Sequence, residues 1–505
     1  MKKGLFLLIA AAASAAFAQT VPQSPPPLPP ATTAAPAPEA TGTTRLTLSD
    51  ALNRALSVNN TVERSRADIG LAEANRKLLL SNVLPRVNAS GAATRNSTSA
   101  SFGSAGQQTT ILAQNDWNYR IVLSQPVYAG RREFRAYSQA KLGVLNAREA
   151  ELGTEDAVLL RVASNYLGIV NADARIAIEQ RNIDIAEQQR KQAQAFYEAG
   201  ETTRVDVLRA ETALKAAQRA FTLAQQVREN AVSRLRADLD LDTNIDALPP
   251  ERALPSLPDE AALVGRAETG RPDIVLAENN LRIAQLEIQK QHGFWLPTVT
   301  FDGGFIQQKS QFPAAKYSYG ALRFNIPILQ SGEVQARVAA AKEHELQARL
   351  DLGTARTNAR EDVRTSASDL RSAEKTLAFA QEQLGAAEAE YAQVAELYRA
   401  QEATSLDVAS AEASLADARR AVAEDTLNRN LAELRVWYAA GSIKPALGLT
   451  SPAKAATQAA GAIITTNVEQ TLLSAPTAAQ TGVSVPHART VADAATEKES
   501  GAVQK

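Results

Sequence analysis

The sequence predicts a mainly α-helical protein with a smaller transmembrane β part, built as a duplicated unit. Three observations carry that expectation. Val162, Ile169, Ile176 and Ile183 fall seven residues apart, and after an interruption at Arg190 the series reaches Tyr197. The rhythm returns 201 residues downstream as Val363, Leu370, Leu377, Leu384, Tyr391 and Tyr398, and at the same offset Val207, Leu214, Phe221, Arg228 and Leu235 are matched by Val408, Leu415, Val422, Arg429 and Val436. Two other stretches switch to a period of two. Sevenfold spacing keeps one apolar seam on one side of a helix, and over this many turns it implies left-handed supercoiling against a neighbour. A repeat this long argues for one architecture in two halves.

Composition narrows the function classes. Hydrophobic content is 45% with only 5% aromatic, which suits Ala-rich helix packing, and the net charge of −1 offers no basic excess for a nucleic acid. Lys2 and Lys3, the apolar run from Gly4 to Ala13, and Ala16-Phe17-Ala18 before Gln19 read as a secretory signal peptide. With no cysteine in the chain, an exported product holds no disulfide and offers no acceptor for an N-terminal lipid.

In chain order, residues 1–18 are the signal peptide and 19–44 a Pro-rich linker. Residues 45–240 form the first repeat (helix, strand pair, long helix, helix), 241–258 a connector, 259–443 the second repeat, and 444–505 a low-complexity, disordered tail. Thr47 or Ser49 caps a helix that runs to about Asn82, ended by Pro85. Then Val87, Ala89, Gly91 and Ala93 alternate with Asn88, Ser90, Ala92 and Thr94. After a polar loop, Trp117, Tyr119, Ile121 and Leu123 alternate with Asn118, Arg120, Val122 and Ser124 up to a closing Pro126. The second half repeats the device after Pro297: Val299, Phe301 and Phe305 share one face, and Leu322, Phe324, Ile326 and Ile328 another, with Pro327 matching Pro126.

Each alternating stretch runs about nine to twelve residues, the length a tilted strand needs to cross a bilayer. A soluble hairpin packed on the helices would show the same alternation, but a lone hairpin is only marginally stable and leaves its edges open. Four strands cannot close on themselves. In a membrane they must be pooled between copies, and two, three or four copies would give eight, twelve or sixteen strands. Arg131 to Ala199 and Ser331 to Arg399 read as helices roughly 100 Å long. Thr47 to Asn82, Thr203 to Asp240, Asp259 to His292 and Thr404 to Ala439 are each about half that, so two short helices end to end match one long one. The acidic run Asp238, Asp240, Asp242 and Asn244 lacks the glycine and glutamate of a calcium loop and reads as a helix-ending polar turn.

The turns at the far ends of the rods are the candidate functional sites. Gly200-Glu201-Thr202-Thr203 leads into Arg204-Val205-Asp206, and Gln401-Glu402-Ala403-Thr404 into Ser405-Leu406-Asp407. Thr203 with Asp206 and Thr404 with Asp407 have capping-box spacing, with Asp replacing the usual Glu. Arg228 and Arg429 read as ion-paired or snorkelling seam residues. The three histidines show no metal-ligand spacing, and neither a phosphate-binding glycine loop nor a nucleophile elbow is present. No enzyme, cofactor or metal is expected.

The signal peptide, followed over about residues 45 to 443 by a repeated order of helix, Leu-Pro, strand pair, Pro, long helix and a turn that reads Gly-x-x-Thr-x-x-Asp-Val-Leu in the first copy, with Gln401 in the second copy where the first has Gly200, resembles the TolC-type outer-membrane efflux protein family. The resemblance implies a homotrimer in outer-membrane lipid: a twelve-stranded β-barrel joined to a periplasmic α-barrel tunnel. It implies a passive exit duct of a tripartite efflux or type I secretion system, opened at its tip by a periplasmic adaptor and an inner-membrane pump. By the same resemblance Asp206 and Asp407 constrict the entrance, while Gly200, Glu201, Thr202, Thr203, Gln401, Glu402, Ala403 and Thr404 meet the adaptor. Tyr197 and Tyr398, which end the long seams beside the tips, are candidates for holding the gate. Arg209 and Ser410 stand one turn beyond the aspartates, where a second acidic ring would need carboxylates. Twelve helices about 10 Å apart would enclose a bore of roughly 25 to 30 Å. The competing reading is an exported periplasmic coiled-coil scaffold or adaptor without a membrane barrel.

Overall fold

The structure, a computed structural model, describes residues 42–103, 109–250, 254–309, 314–400 and 402–449. The expected signal peptide, the Pro-rich linker before Gly42, Gln401 and the tail from residue 450 lie outside the described residues.

The chain enters through β1 (Thr43–Leu46), α1 (Leu48–Val58) and α2 (Asn60–Ser81). Thr47 caps α1: its hydroxyl accepts from the Asp50 amide at 3.2 Å, and the Asp50 carboxylate accepts from the Thr47 amide at 3.4 Å. The single helix expected from Thr47 to Asn82 is therefore two. Asn59 is extended, its side-chain Oδ1 accepts from Thr61 N, and its side-chain Nδ2 donates to Asp238 O at 3.1 Å. An asparagine that can satisfy backbone groups from outside the helix competes with helix continuation.

β2 (Arg86–Arg95), a short hairpin of β3 (Ala100–Phe102) and β4 (Thr109–Leu112), and β5 (Asn115–Ala129) follow, then α3 (Arg132–Glu198), α4 (Arg204–Leu239) and β6 (Asn244–Ala247). The second half runs α5 (Glu260–Gly270), α6 (Pro272–His292), β7 (Thr298–Gln308), β8 (Lys316–Asn325), α7 (Glu333–Arg399), α8 (Ser405–Ala439) and α9 (Ile443–Ala446). Here too the expected helix from Asp259 to His292 is broken. Arg271 is extended and Pro272, which has no N–H to give, starts the next helix.

Both breaks seat against the end of a returning helix. Arg54 Nε donates to Leu239 O at 2.9 Å at the end of α4, and Arg271 Nη1 reaches Ala439 O at 3.4 Å at the end of α8 while pairing with Asp273 and Asp362. Short helices therefore meet end to end along each long one. α3 packs on α2 and α4, and α7 on α5, α6 and α8. The long helices are 67 residues each, about 100 Å. The sevenfold seams form their contacts: Val162, Ile169, Val363, Leu370, Leu235 and Val436 are buried, and Arg228 on the seam pairs with Asp173. At the joint level a parallel pair that the sequence did not announce, β1 on β6, sits over the buried Tyr166, whose hydroxyl lies 2.8 Å from Leu46 O. The boundary expected at 44/45 falls within β1, and β6 lies inside the expected connector, 241–258.

The two expected strand pairs merge into one antiparallel sheet of order β2-β5-β7-β8. Pro126 does not close its strand. The pairing with β2 extends no further than Ser124, opposite Arg86 at the start of β2, and the register to β7 slips between Pro126 and Tyr128, so the missing N–H falls where the ladder is interrupted. The counterpart β8 ends at Asn325, before Pro327. Pairing register puts Val87, Ala89, Ile121, Leu123, Phe301, Phe305, Leu322 and Phe324 on one face, and Asn88, Ser90, Arg120, Ser124, Asp302 and Arg323 on the other. On the apolar face Tyr119 lies across Gly91, where a Cβ would come within 2.8 Å of its ring. Each long helix starts from a left-handed elbow, Gly130-Arg131 in one half and Ser331-Gly332 in the other. Gly130 also touches the backbone of Gly293, and a Cβ there would stand 2.2 Å from Gly293 O, so the elbow needs glycine for space as well as for φ.

Candidate functional site: the paired helical tips

Far from the sheet, α3 turns into α4 and α7 into α8. The first turn closes with Gly200 at φ +77 and a bond from Glu201 N to Phe196 O of 2.8 Å. This is the C-capping arrangement that favours a left-handed glycine. Gln401 lies outside the described residues, but Glu402 N bonds Leu397 O at the same 2.8 Å, so both turns are closed by equivalent backbone bonds. Thr203 and Thr404 then start α4 and α8.

The two aspartates differ in what they hold. Asp407 is exposed and, among the described residues, accepts from its own turn alone, from Thr404 N at 2.9 Å and Thr404 Oγ1 at 2.6 Å. Asp206 is mostly covered. It accepts from Thr202 Oγ1 and Thr203 Oγ1 at 2.7 Å each and from Thr203 N at 3.2 Å, and it also takes a bond from Ser405 Oγ in the other hairpin. Arg209 reaches the same carboxylate at 3.4 Å and Ser405 Oγ at 3.5 Å. Ser405 and the threonines hold the Asp206 carboxyl far below its ordinary value, and Thr404 lowers Asp407 in the same sense.

Tyr398 and Tyr197 also part company. The Tyr398 ring meets Phe196 edge-on across the hairpins, with centroids 5.7 Å apart, and burial together with the nearby Asp206 charge raises its hydroxyl pKa. Tyr197 is exposed. Glu201 and Glu402 are exposed at the turns; Thr202 and Ala403 are partly covered. Behind Asp206, a small gap between the hairpins is lined by Gln189, Asp206, Arg209, Tyr398, Ser405 and Glu412. Burial pushes the Glu412 carboxyl up to about 7.

Further up the rods a second tie joins the hairpins. Glu179 on α3 is buried and receives Arg420 of α8 in bidentate fashion, at 2.6 and 2.9 Å, with Asn182 at 3.2 Å. Burial pushes the Glu179 carboxyl up, but the Arg420 and Asn182 bonds outweigh it and the net shift is downward. Sequence reasoning missed Ser405, Phe196, Glu412 and this pair. A signal existed in the repeat itself. Ser405 stands where the first half has Arg204, and Glu179 where the second has the buried Ala380.

The sequence profile described as outer membrane efflux protein matches residues 51–239 and 263–442, which together take in both helical repeats. The chain belongs to the outer membrane efflux protein family. The outer membrane efflux protein BepC of Brucella suis biovar 1 (strain 1330) is 24% identical over 378 residues, covering 73% of this chain and 79% of that protein. Nodulation protein T of Rhizobium leguminosarum bv. viciae is 23% identical over 446 residues, covering 82% and 86%. Among solved structures, the outer membrane protein VceC of Vibrio cholerae superposes with a TM-score of 0.68 at 15% identity, over 78% of this chain and 96% of that one. The fold of this family member is thus that of an outer-membrane channel, and the sheet and the tips stand at opposite ends of it.

Proposed function

We propose that three copies of this outer-membrane efflux protein assemble into a passive exit duct of a tripartite efflux or type I secretion system. Their sheets join as a twelve-stranded barrel in outer-membrane lipid, and their rods enclose a tunnel across the periplasm. One observation carries the reading: a four-stranded sheet, apolar on one face and polar on the other, with both edges unpaired among the described residues, at the end of rods about 100 Å long. Phe324 and Val87 on the apolar face are 69% and 66% exposed. Left in water, each such side chain forgoes about 1.5 to 3 kcal/mol of burial. Lipid on one face and a neighbouring copy at each edge remove both liabilities.

The tip turns are the periplasmic entrance. Glu201, Thr202, Glu402 and Ala403 with their flanking Gly200, Thr203, Gln401 and Thr404 are the surface for a periplasmic adaptor, which couples the duct to an inner-membrane pump. Of the two aspartates, Asp407 supplies the accessible carboxylate of the entrance, because Asp206 is occupied by four donor groups and Arg209. Cleavage near Gln19 precedes assembly.

Fractionation of cells with heat-modifiable gel mobility tests the reading. The expected result is a species in the outer membrane that migrates as an oligomer unheated and as a monomer after boiling. Cysteines placed on β2 and β8 should cross-link it to three chains. Recovery as a soluble periplasmic monomer would favour the scaffold instead.

A further inference from the structure

The four strands of the main sheet carry five basic side chains and two acidic ones, although the whole chain has a net charge of −1. Their placement is uneven. On the polar face Arg323 is matched by Asp302 at 3.1 Å, near the end of the sheet that joins the helices. Arg86 donates to the Asn82 side-chain oxygen Oδ1 at that same end. Arg120 lies near the middle of β5, exposed, flanked across the ladder by Ser90 and Ile306, with Tyr317 beyond. Among the described residues no carboxylate is within ion-pairing distance of it. Asp116 and Ser124, the latter level with Asp302, are each four residues along β5, about 13 Å away at strand rise. That exceeds the screening length of about 8 Å at physiological salt. The edge strands β2 and β8 contain no Asp or Glu, so a neighbouring copy docking at either edge brings no counter-charge of its own along those strands.

We propose that Arg120 is a specificity-determining residue of the duct, a cationic belt at mid-membrane level that makes the lumen there prefer anionic solutes over cationic ones. The inference rests on the barrel reading above, in which the polar face lines the lumen. Its neighbours on that face, Ser90, Asn118, Val122, Ile306 and Tyr317, carry no charge, so one arginine per copy, repeated around the ring, fixes the sign of the local potential. The belt and the Asp407 entrance then have opposite signs. Cargo that enters past a negative mouth meets a positive wall at the bilayer, which draws acidic groups forward.

Because the chain has no cysteine, a single introduced thiol reports the potential cleanly. In proteoliposomes of the full-length protein, Ser90→Cys is placed directly opposite Arg120, and Ala89→Cys on the other face serves as its control. Rates of modification by an anionic and a cationic methanethiosulfonate reagent are compared. For Ser90→Cys the anionic-to-cationic rate ratio should fall by about three- to tenfold at low ionic strength when Arg120→Gln is added, and the difference should shrink in high salt. Arg120→Lys should keep the ratio, which separates charge from packing. A ratio unmoved by Arg120→Gln, with Ser90→Cys still readily modified, overturns the proposal and leaves the barrel intact. Protection of Ser90→Cys together with full access to Ala89→Cys overturns the barrel orientation itself, and the belt with it.

Discussion

The two tip turns have nearly the same sequence grammar and opposite circumstances. Thr203 and Thr404 both begin a helix, Asp206 and Asp407 both sit three residues on, and the closing backbone bonds are equivalent. Yet Asp206 is drawn into a cross-hairpin network with Ser405 and Arg209, while Asp407 caps its own helix and faces solvent. The same holds one turn deeper, where the duplicated Glu211 is exposed and Glu412 is tucked into the gap between hairpins. Duplication supplies two copies of a motif, and the way the hairpins lean on each other decides which copy is a tie and which is a free charge.

The strongest way to break that contrast is Asp206→Ala. It leaves Ser405, Thr202 and Arg209 without their shared acceptor, and a lost charged hydrogen-bond acceptor costs about 1.5 to 3 kcal/mol. Single-channel recordings in planar bilayers should show a severalfold rise in conductance as the hairpins separate. Asp407→Ala should raise conductance less but abolish block by divalent cations, whereas Asp206→Asn leaves the block intact. Equal block in both variants would erase the distinction between tie and free charge.

Acidity separates the two carboxyls behind the tip. Asp206 titrates below its unfolded value of about 3.9, so its contribution is complete above that pH and is lost only as pH falls through its lower folded value. Glu412 is opposite in sign. Its folded value near 7 lies above the unfolded one of about 4.3, so its contribution is complete below pH 4.3 and is lost as pH rises through 7. Closed-state lifetime should therefore shorten as pH rises from about 4.3 to 7 in the native protein and level off above that, and Glu412→Gln should flatten that dependence. The smallest expected effect belongs to Tyr398→Phe. Its ring contact with Phe196 survives the change, so conductance should shift less than twofold; a large increase would mean that the hydroxyl itself ties the hairpins.

What the sequence made legible was whatever repeats or alternates. Val162 and Val363 announced the seams, Val87 and Ile121 the sheet, and Thr404 with Asp407 the second helix start. The breaks at Asn59 and Arg271 were hidden because an apolar period continues across a joint when the two pieces pack on the same long helix. β1 and β6 are four residues each, too short for a period, and their pairing is decided by chain segments about 200 residues apart. Glu179 and Arg420 were unreadable for a related reason: which charged residue of a helix is buried depends on where another hairpin crosses it.

The open edges of β2 and β8 reach beyond the single molecule. In the assembly proposed above, a sheet completed by another copy has no comfortable existence before its partners arrive, so insertion and assembly should coincide during biogenesis, and the finished duct should not exchange its members. In a cell that makes intact and tip-defective chains together, most ducts would then be mosaics, and a fault in one gene copy would behave as dominant.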